Sequence, residues 1–174
     1  MKLLFISLGC DKNLVDSEEM LGMLAAEGHQ IVDDEDEAEA IIINTCCFIG
    51  DAKEESVNTI LEMAEKKKTG SCKVLIVTGC MAQRYKKEIS DEIPEVDAIL
   101  GTTSYSDIIK AVNEAEAGRH FEEYKSIDFL PDISGKRMLT TGGHFAYLKI
   151  AEGCDKHCTY CIIPKLRGSY RSVP

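Results

Sequence analysis

Apolar residues follow two different rhythms along this chain. Residues 3–8, 40–45 and 73–78 are short runs rich in Ile, Val or Leu, each closed by Gly or Cys. Continuous runs of that length predict strands buried on both faces. Between them the apolar positions recur at helical spacing: Leu14, Leu21, Leu24 and Ala25 in one stretch, Val57, Ile60, Leu61 and Ala64 in another. The second stretch follows an Asp51/Glu54 pair that resembles a capping box, and Lys66, Lys67 and Lys68 suit its negative end, with Gly70 just beyond. Ser104 with Asp107 predicts the start of a further helix carrying Ile108, Val112 and Ala115, and weaker strands are expected near 30–33 and 96–101. Alternating β and α elements imply an α/β fold, with a parallel sheet of about five strands flanked by helices. The expected strand order is the flavodoxin-like 2-1-3-4-5.

The pattern breaks after Gly118. Residues 119–143 mix charges with Pro131, Gly135, Gly142 and Gly143, which reads as a linker with room for a hairpin. Residues 144–151 then read as a new strand leading directly into Gly153 and Cys154. The expected organisation is an N-terminal domain over 1–118, a linker over 119–143, and a further unit beginning at 144.

Composition adds compartment and charge. With 174 residues and 44% hydrophobic content, the chain can bury one good core. Behind residue 135 seven Lys/Arg face only Glu152 and Asp155, so the first 135 residues hold thirteen basic against 28 acidic side chains. An acidic front is a poor surface for phosphate backbones and is compatible with a basic protein partner. The opening apolar run spans only residues 3–8 before Asp11 and Lys12, shorter than the h-region of a signal peptide (about 7–15 residues), and no run approaches the roughly 20 residues of a membrane span. A cytoplasmic chain is expected, with no membrane partner. Its eight cysteines then read as metal ligands rather than disulfides.

Cys154, Cys158 and Cys161 form CxxxCxxC. Three thiolates on one tight loop can hold three irons of a four-iron cluster, leaving the fourth iron open to the amino and carboxylate groups of S-adenosylmethionine. Zinc would want a fourth ligand, with His157 or His144 available, but no second CxxC or HxxxH half is present. A second set follows from topology. Cys10 lies after the first strand, Cys46 after the third and Cys80 after the fourth, and in a parallel sheet all carboxyl ends share one edge. Cys72 precedes the fourth strand and belongs to the opposite edge. Cys47 adjoins Cys46 and stands as an alternative to it.

Four segments carry a resemblance that spans nearly the whole chain: SLGCDKNLVDSE (7–18), NTCCFIGDAKEES (44–56), TGCMAQRY (78–85) and LKIAEGCDKHCTYCIIPKLRG (148–168). In this order they resemble the signature segments of the radical S-adenosylmethionine methylthiotransferases. The resemblance implies that Cys10, Cys46 and Cys80 hold an auxiliary 4Fe–4S cluster. It implies that Cys154, Cys158 and Cys161 hold the radical 4Fe–4S cluster, on a loop opening a radical barrel that is truncated here. GCDKNLVDSE and CIIPKLRGSYRS are similar to the branch that methylthiolates an aspartate β-carbon of the twelfth protein of the small ribosomal subunit; Cys47 and Asp11 depart slightly from its commonest pattern. The tRNA-modifying branch, and with it a nucleic-acid partner, remains the alternative, as does a non-catalytic zinc or iron–sulfur interaction module. For either enzyme branch the resemblance implies S-adenosylmethionine used in two stages, and an electron donor such as flavodoxin or ferredoxin. It also implies that this stretch alone is inactive.

Overall fold

The computed structural model describes residues 1–131 and 137–173; Gly135 of the expected linker lies outside them. Strands β1 (Lys2–Ser7), β3 (Ala40–Thr45) and β4 (Val74–Gly79) form where the continuous apolar runs predict them, and β2 (Gln30–Ile31) and β5 (Ala98–Leu100) where the weaker signals fall. A sixth strand, β6 (Phe121–Glu123), completes a parallel sheet of order β2-β1-β3-β4-β5-β6. The expected order 2-1-3-4-5 is present, with one strand more. Phe121–Glu123 lies inside the segment expected to be linker, where its register with 98–100 of β5 extends the sheet.

Helices cover both faces, as the period of two along each strand requires. Leu3, Ala40, Ile42, Val74, Ile76, Ala98 and Leu100 face α1 (Asp11–Ala26) and α5 (Ile108–Glu116), meeting Met20, Leu24, Ile108 and Val112. Leu4, Ile41, Ile43, Leu75, Val77 and Ile99 face the other way. They pack on Ile60 and Met63 of α2 (Gly50–Thr69), Met81 of α3 (Cys80–Arg84) and Ile89 of α4 (Lys86–Glu92).

Three local expectations are corrected. The capping box does not form: α2 starts after Ile49, whose side chain has no oxygen to cap with, so Asp51 already lies in the first turn. Ser104 is followed by a 3-10 turn at Tyr105–Asp107 before α5 begins, and its hydroxyl accepts the Lys125 N–H at 2.9 Å instead of capping. Residues 144–150 do not make a strand. Only β7 (Ala151–Glu152) does, paired antiparallel with β8 (Arg171–Ser172) after a short helix α6 (Ile163–Arg167).

Among the described residues no helix is long and apolar enough to cross a membrane.

Candidate metal centre and its anchoring network

Register alone brings the three strand-end cysteines to one place. Ser7 aligns with Asn44, Asn44 with Thr78, and Thr45 with Gly79, so β1, β3 and β4 end level with one another. Cys46 and Cys80 are the next residues of their strands, and Cys10 follows two residues later as the N-terminal flank of α1. All three line a crevice of about 520 Å³ at the carboxyl edge of the sheet, together with Phe48, Ile49, Ala52, Leu166 and Arg167. Cys10 is exposed, whereas Cys46 and Cys80 are buried.

Hydrogen bonds from buried side chains fix this edge. The Asn13 amide donates to the carbonyls of Leu8 and Thr45, both at 2.9 Å, and the Asn44 amide donates to the Asn13 carbonyl and Ser17 Oγ, again at 2.9 Å. Ser56, fully buried in α2, accepts the Cys46 N–H at 3.0 Å and donates to the Cys46 carbonyl at 2.8 Å. Gly9 threads past Cys46 at φ +95°, so close that a Cβ there would stand 2.6 Å from the Cys46 Cβ and 2.9 Å from its Sγ. Burial pushes the Cys80 thiol up to about 12, with the nearby Arg167 guanidinium pulling the other way.

Cys47 turns elsewhere. Its Sγ donates to the Cys80 carbonyl at 3.3 Å within the core under α2, and burial raises its thiol too. Cys72 sits before β4, at the opposite end of the sheet from the crevice, with its Sγ on the Val74 carbonyl at 3.3 Å.

The CxxxCxxC residues occupy the loop between β7 and α6. Cys158 and Cys161 line a second hollow of about 500 Å³ with Arg84, His157, Tyr160 and Lys165, and Phe48 lines both this hollow and the first. Cys154 is not part of that lining; its N–H donates to the Gly168 carbonyl at 3.1 Å. His157 adopts φ +48° in this loop. Among the described residues no three His, Cys, Asp or Glu converge tightly enough for a single ion. A four-iron cube asks instead for thiolates spread around its corners, as a row of strand ends supplies.

The sequence reading missed the polar network that binds the chain behind residue 137 to α1. Arg167, 2% exposed, donates to Asn13 Oδ1 at 2.5 Å, Asp16 Oδ2 at 3.0 Å and Glu152 Oε2 at 2.8 Å. Lys149 pairs with Asp16 and, at 3.4 Å, with Glu152, which Lys12 also approaches at 3.5 Å. Burial opposes the charge on Glu152, yet Arg167, Lys149 and Lys12 outweigh it and hold the carboxyl at about 2. Burial likewise works against Arg167 and Lys149, and the facing carboxylates keep both above their ordinary values. Further along α1, Glu18 receives Arg137 Nε at 2.7 Å and the Thr140 N–H at 2.6 Å. A signal was present in α1. Asn13, Ser17, Met20 and Leu24 are all buried at 4-3-4 spacing, so the buried stripe continues through polar residues that an apolar count ignores.

Comparison with known proteins adds three relatives and one family. Residues 2–101 match the model of Uncharacterized protein family UPF0004. The chain is 64% identical over 174 residues to the ribosomal protein uS12 methylthiotransferase RimO of Lachnoclostridium phytofermentans, covering 100% of this chain and 40% of that protein. Proteins of the same description from Clostridioides difficile and Trichlorobacter lovleyi are 52% and 49% identical, each over 99% of this chain and 39% of their own length. The chain thus spans about two fifths of the curated relatives it matches.

Proposed function

We propose, from the premise that this chain belongs to Uncharacterized protein family UPF0004, that it is the front part of a methylthiotransferase acting on ribosomal protein uS12. The whole-chain similarity to proteins described by that name carries the reading. Cys10, Cys46 and Cys80 hold an auxiliary 4Fe–4S cluster; their shared crevice supports this, and its donor set suits iron. Cys154, Cys158 and Cys161 hold a second 4Fe–4S cluster with one open iron, supported by their spacing and by the hollow that Cys158 and Cys161 share. When bound, the clusters and S-adenosylmethionine supply sulfur and one-electron chemistry for transfer to an aspartate β-carbon.

The chain's own residues build the container. Asn13 and Asn44 level the strand ends, Ser56 holds the Cys46 backbone in place, and Phe48 and Ile49 give the crevice an apolar rim. Residues 1–118, with β6 completing their sheet, form the auxiliary-cluster domain, the rest of 119–143 the connection, and 144–174 the opening of a radical barrel. The compartment is the cytoplasm, and an electron donor of the flavodoxin or ferredoxin kind feeds the radical cluster.

Two measurements test this. In a strain lacking the full-length gene, mass spectrometry of uS12 should find the aspartate unmodified; retained modification, with a methylthio group missing from tRNA, would favour the tRNA-modifying branch instead. Anaerobic reconstitution of the chain should bring in iron and sulfide, and zinc without either would refute the cluster assignment.

A further inference from the structure

Arg167 holds neither cluster in the assignment above, yet it is buried and lines the crevice of the strand-end cysteines. We propose that Arg167 is a positioning residue of the auxiliary site, a fixed cation held against Cys80 that sets the reduction potential of the group bound there. This rests on the reading of Cys10, Cys46 and Cys80 as cluster ligands.

Arg167 is the last residue of α6, six positions beyond Cys161, and is one of the residues that line the crevice. A guanidinium is a planar fork with five N–H groups, and here its direction is dictated from three sides. Glu152 takes Nη1 at 2.8 Å, while Asp16 at 3.0 Å and Asn13 at 2.5 Å take Nη2. The same Asn13 Oδ1 lies 3.8 Å from the Cys80 Sγ, so guanidinium and sulfur meet at one oxygen. Glu152 itself is shared with Lys149 and Lys12, which keeps the fork from swinging away.

Positive charge and N–H groups near cluster sulfurs favour the reduced, more negative state and so raise the potential. A buried cation does this strongly, because little water screens it. The side chain that conditions the first set of cysteines therefore belongs to the segment that carries the second. Seating of that segment and the electronic state of the auxiliary group are coupled through one residue.

The test uses the chain with Cys154, Cys158 and Cys161 all replaced by Ala, so that only the auxiliary cluster loads. Iron and sulfide are counted after anaerobic reconstitution, and the midpoint is read by EPR-monitored titration. Arg167→Met should load iron and titrate at a lower potential than the parent, with Arg167→Lys, which keeps the charge but loses the fork, in between. Glu152→Gln removes a negative charge that faces Arg167 while leaving Arg167 beside Cys80, and should raise the midpoint or leave it at the parental value, never lower it. A merely structural role would lower iron content or stability in all three variants without moving the potential of the iron that loads. Parental midpoints in Arg167→Met and Arg167→Lys at full iron content would overturn the proposal. If circular dichroism finds Arg167→Met unfolded, the lysine variant decides alone: a lowered midpoint supports the proposal and a parental one overturns it. A parent that takes up no iron–sulfur cluster defeats the underlying cysteine assignment, a result recognisably different from an unmoved potential.

Discussion

Replacing Gly9 by Ala isolates how tightly the crevice is built, because a second glycine supplies the control. Gly9 and Gly28 both adopt positive φ, +95° and +85°, but a Cβ at Gly28 would meet nothing within 4 Å. Gly28→Ala therefore costs the backbone conformation alone, roughly 1–2 kcal/mol. Both variants gain the same unfolded-state benefit of Ala over Gly, which cancels in the comparison. At Gly9 the new methyl would stand 2.6 Å from the Cys46 Cβ, about 1 Å inside ordinary carbon contact. Cys46 has little room to retreat, since Ser56 binds both its N–H and its carbonyl. Overpacking of that kind adds roughly 1–3 kcal/mol. The expected total for Gly9→Ala is about 2–5 kcal/mol, against about 1–2 for Gly28→Ala. Urea unfolding of the reduced, metal-free protein, followed by circular dichroism, measures both. Reconstitution supplies a second reading: Gly9→Ala should lose iron by displacing Cys46, and Gly28→Ala should not. Equal destabilisation of the two variants, or full iron uptake by Gly9→Ala, would refute the close approach as the cause.

Three further outcomes follow from burial and pairing. Iron uptake should fail in Cys46→Ala and survive in Cys47→Ala, because Cys46 lines the crevice while the Cys47 sulfur turns into the core; iron and sulfide counts on the two variants decide it. Timed alkylation of the reduced chain, read by mass spectrometry, should label exposed Cys10 and Cys158 first and buried Cys47, Cys72 and Cys80 last, since burial raises those three thiols. Although burial pushes the Glu18 carboxyl up, the Thr140 N–H and Arg137 hold it below its ordinary value, so its contribution is complete above that value and disappears as pH falls through the lowered one. Glu18→Gln should cost about 2 kcal/mol of local stability at neutral pH, on the order of 30-fold in hydrogen-exchange protection at Met138 and Thr140; unchanged protection there would refute the tether.

The central strands were legible because each lies between two helical layers and is apolar at nearly every position, which makes it visible without its neighbours. Phe121–Glu123 was not, since β6 has three residues and two are Glu; only pairing with β5 makes it a strand. Residues 144–150 erred in the opposite direction. Phe145, Leu148 and Ile150 look like a strand, but Leu148 is 82% exposed and among the described residues no strand pairs with 144–150. The placement of Cys10, Cys46 and Cys80 could be read because strand order and parallel direction fix which ends coincide. Arg167, Asp16 and Glu152 could not, since charged residues scan as surface until the fold supplies their partners, and the Arg167–Asp16 pair spans 151 residues of chain.

The shortness of the two outermost strands of the six-stranded sheet has a consequence for handling this chain in solution. A sheet invites a second molecule wherever a long row of unpaired backbone groups stands at its border. Here one border is the two residues Gln30–Ile31, followed by Asp33 and Asp34, and the other is Phe121–Glu123, ending in Glu122 and Glu123. Neither offers more than three residues of pairing, and two molecules meeting there would bring carboxylates face to face. Preparations held reduced at neutral pH should therefore resist ribbon-like aggregation, and should begin to lose that resistance in acid, where those carboxylates take up protons and the repulsion fades.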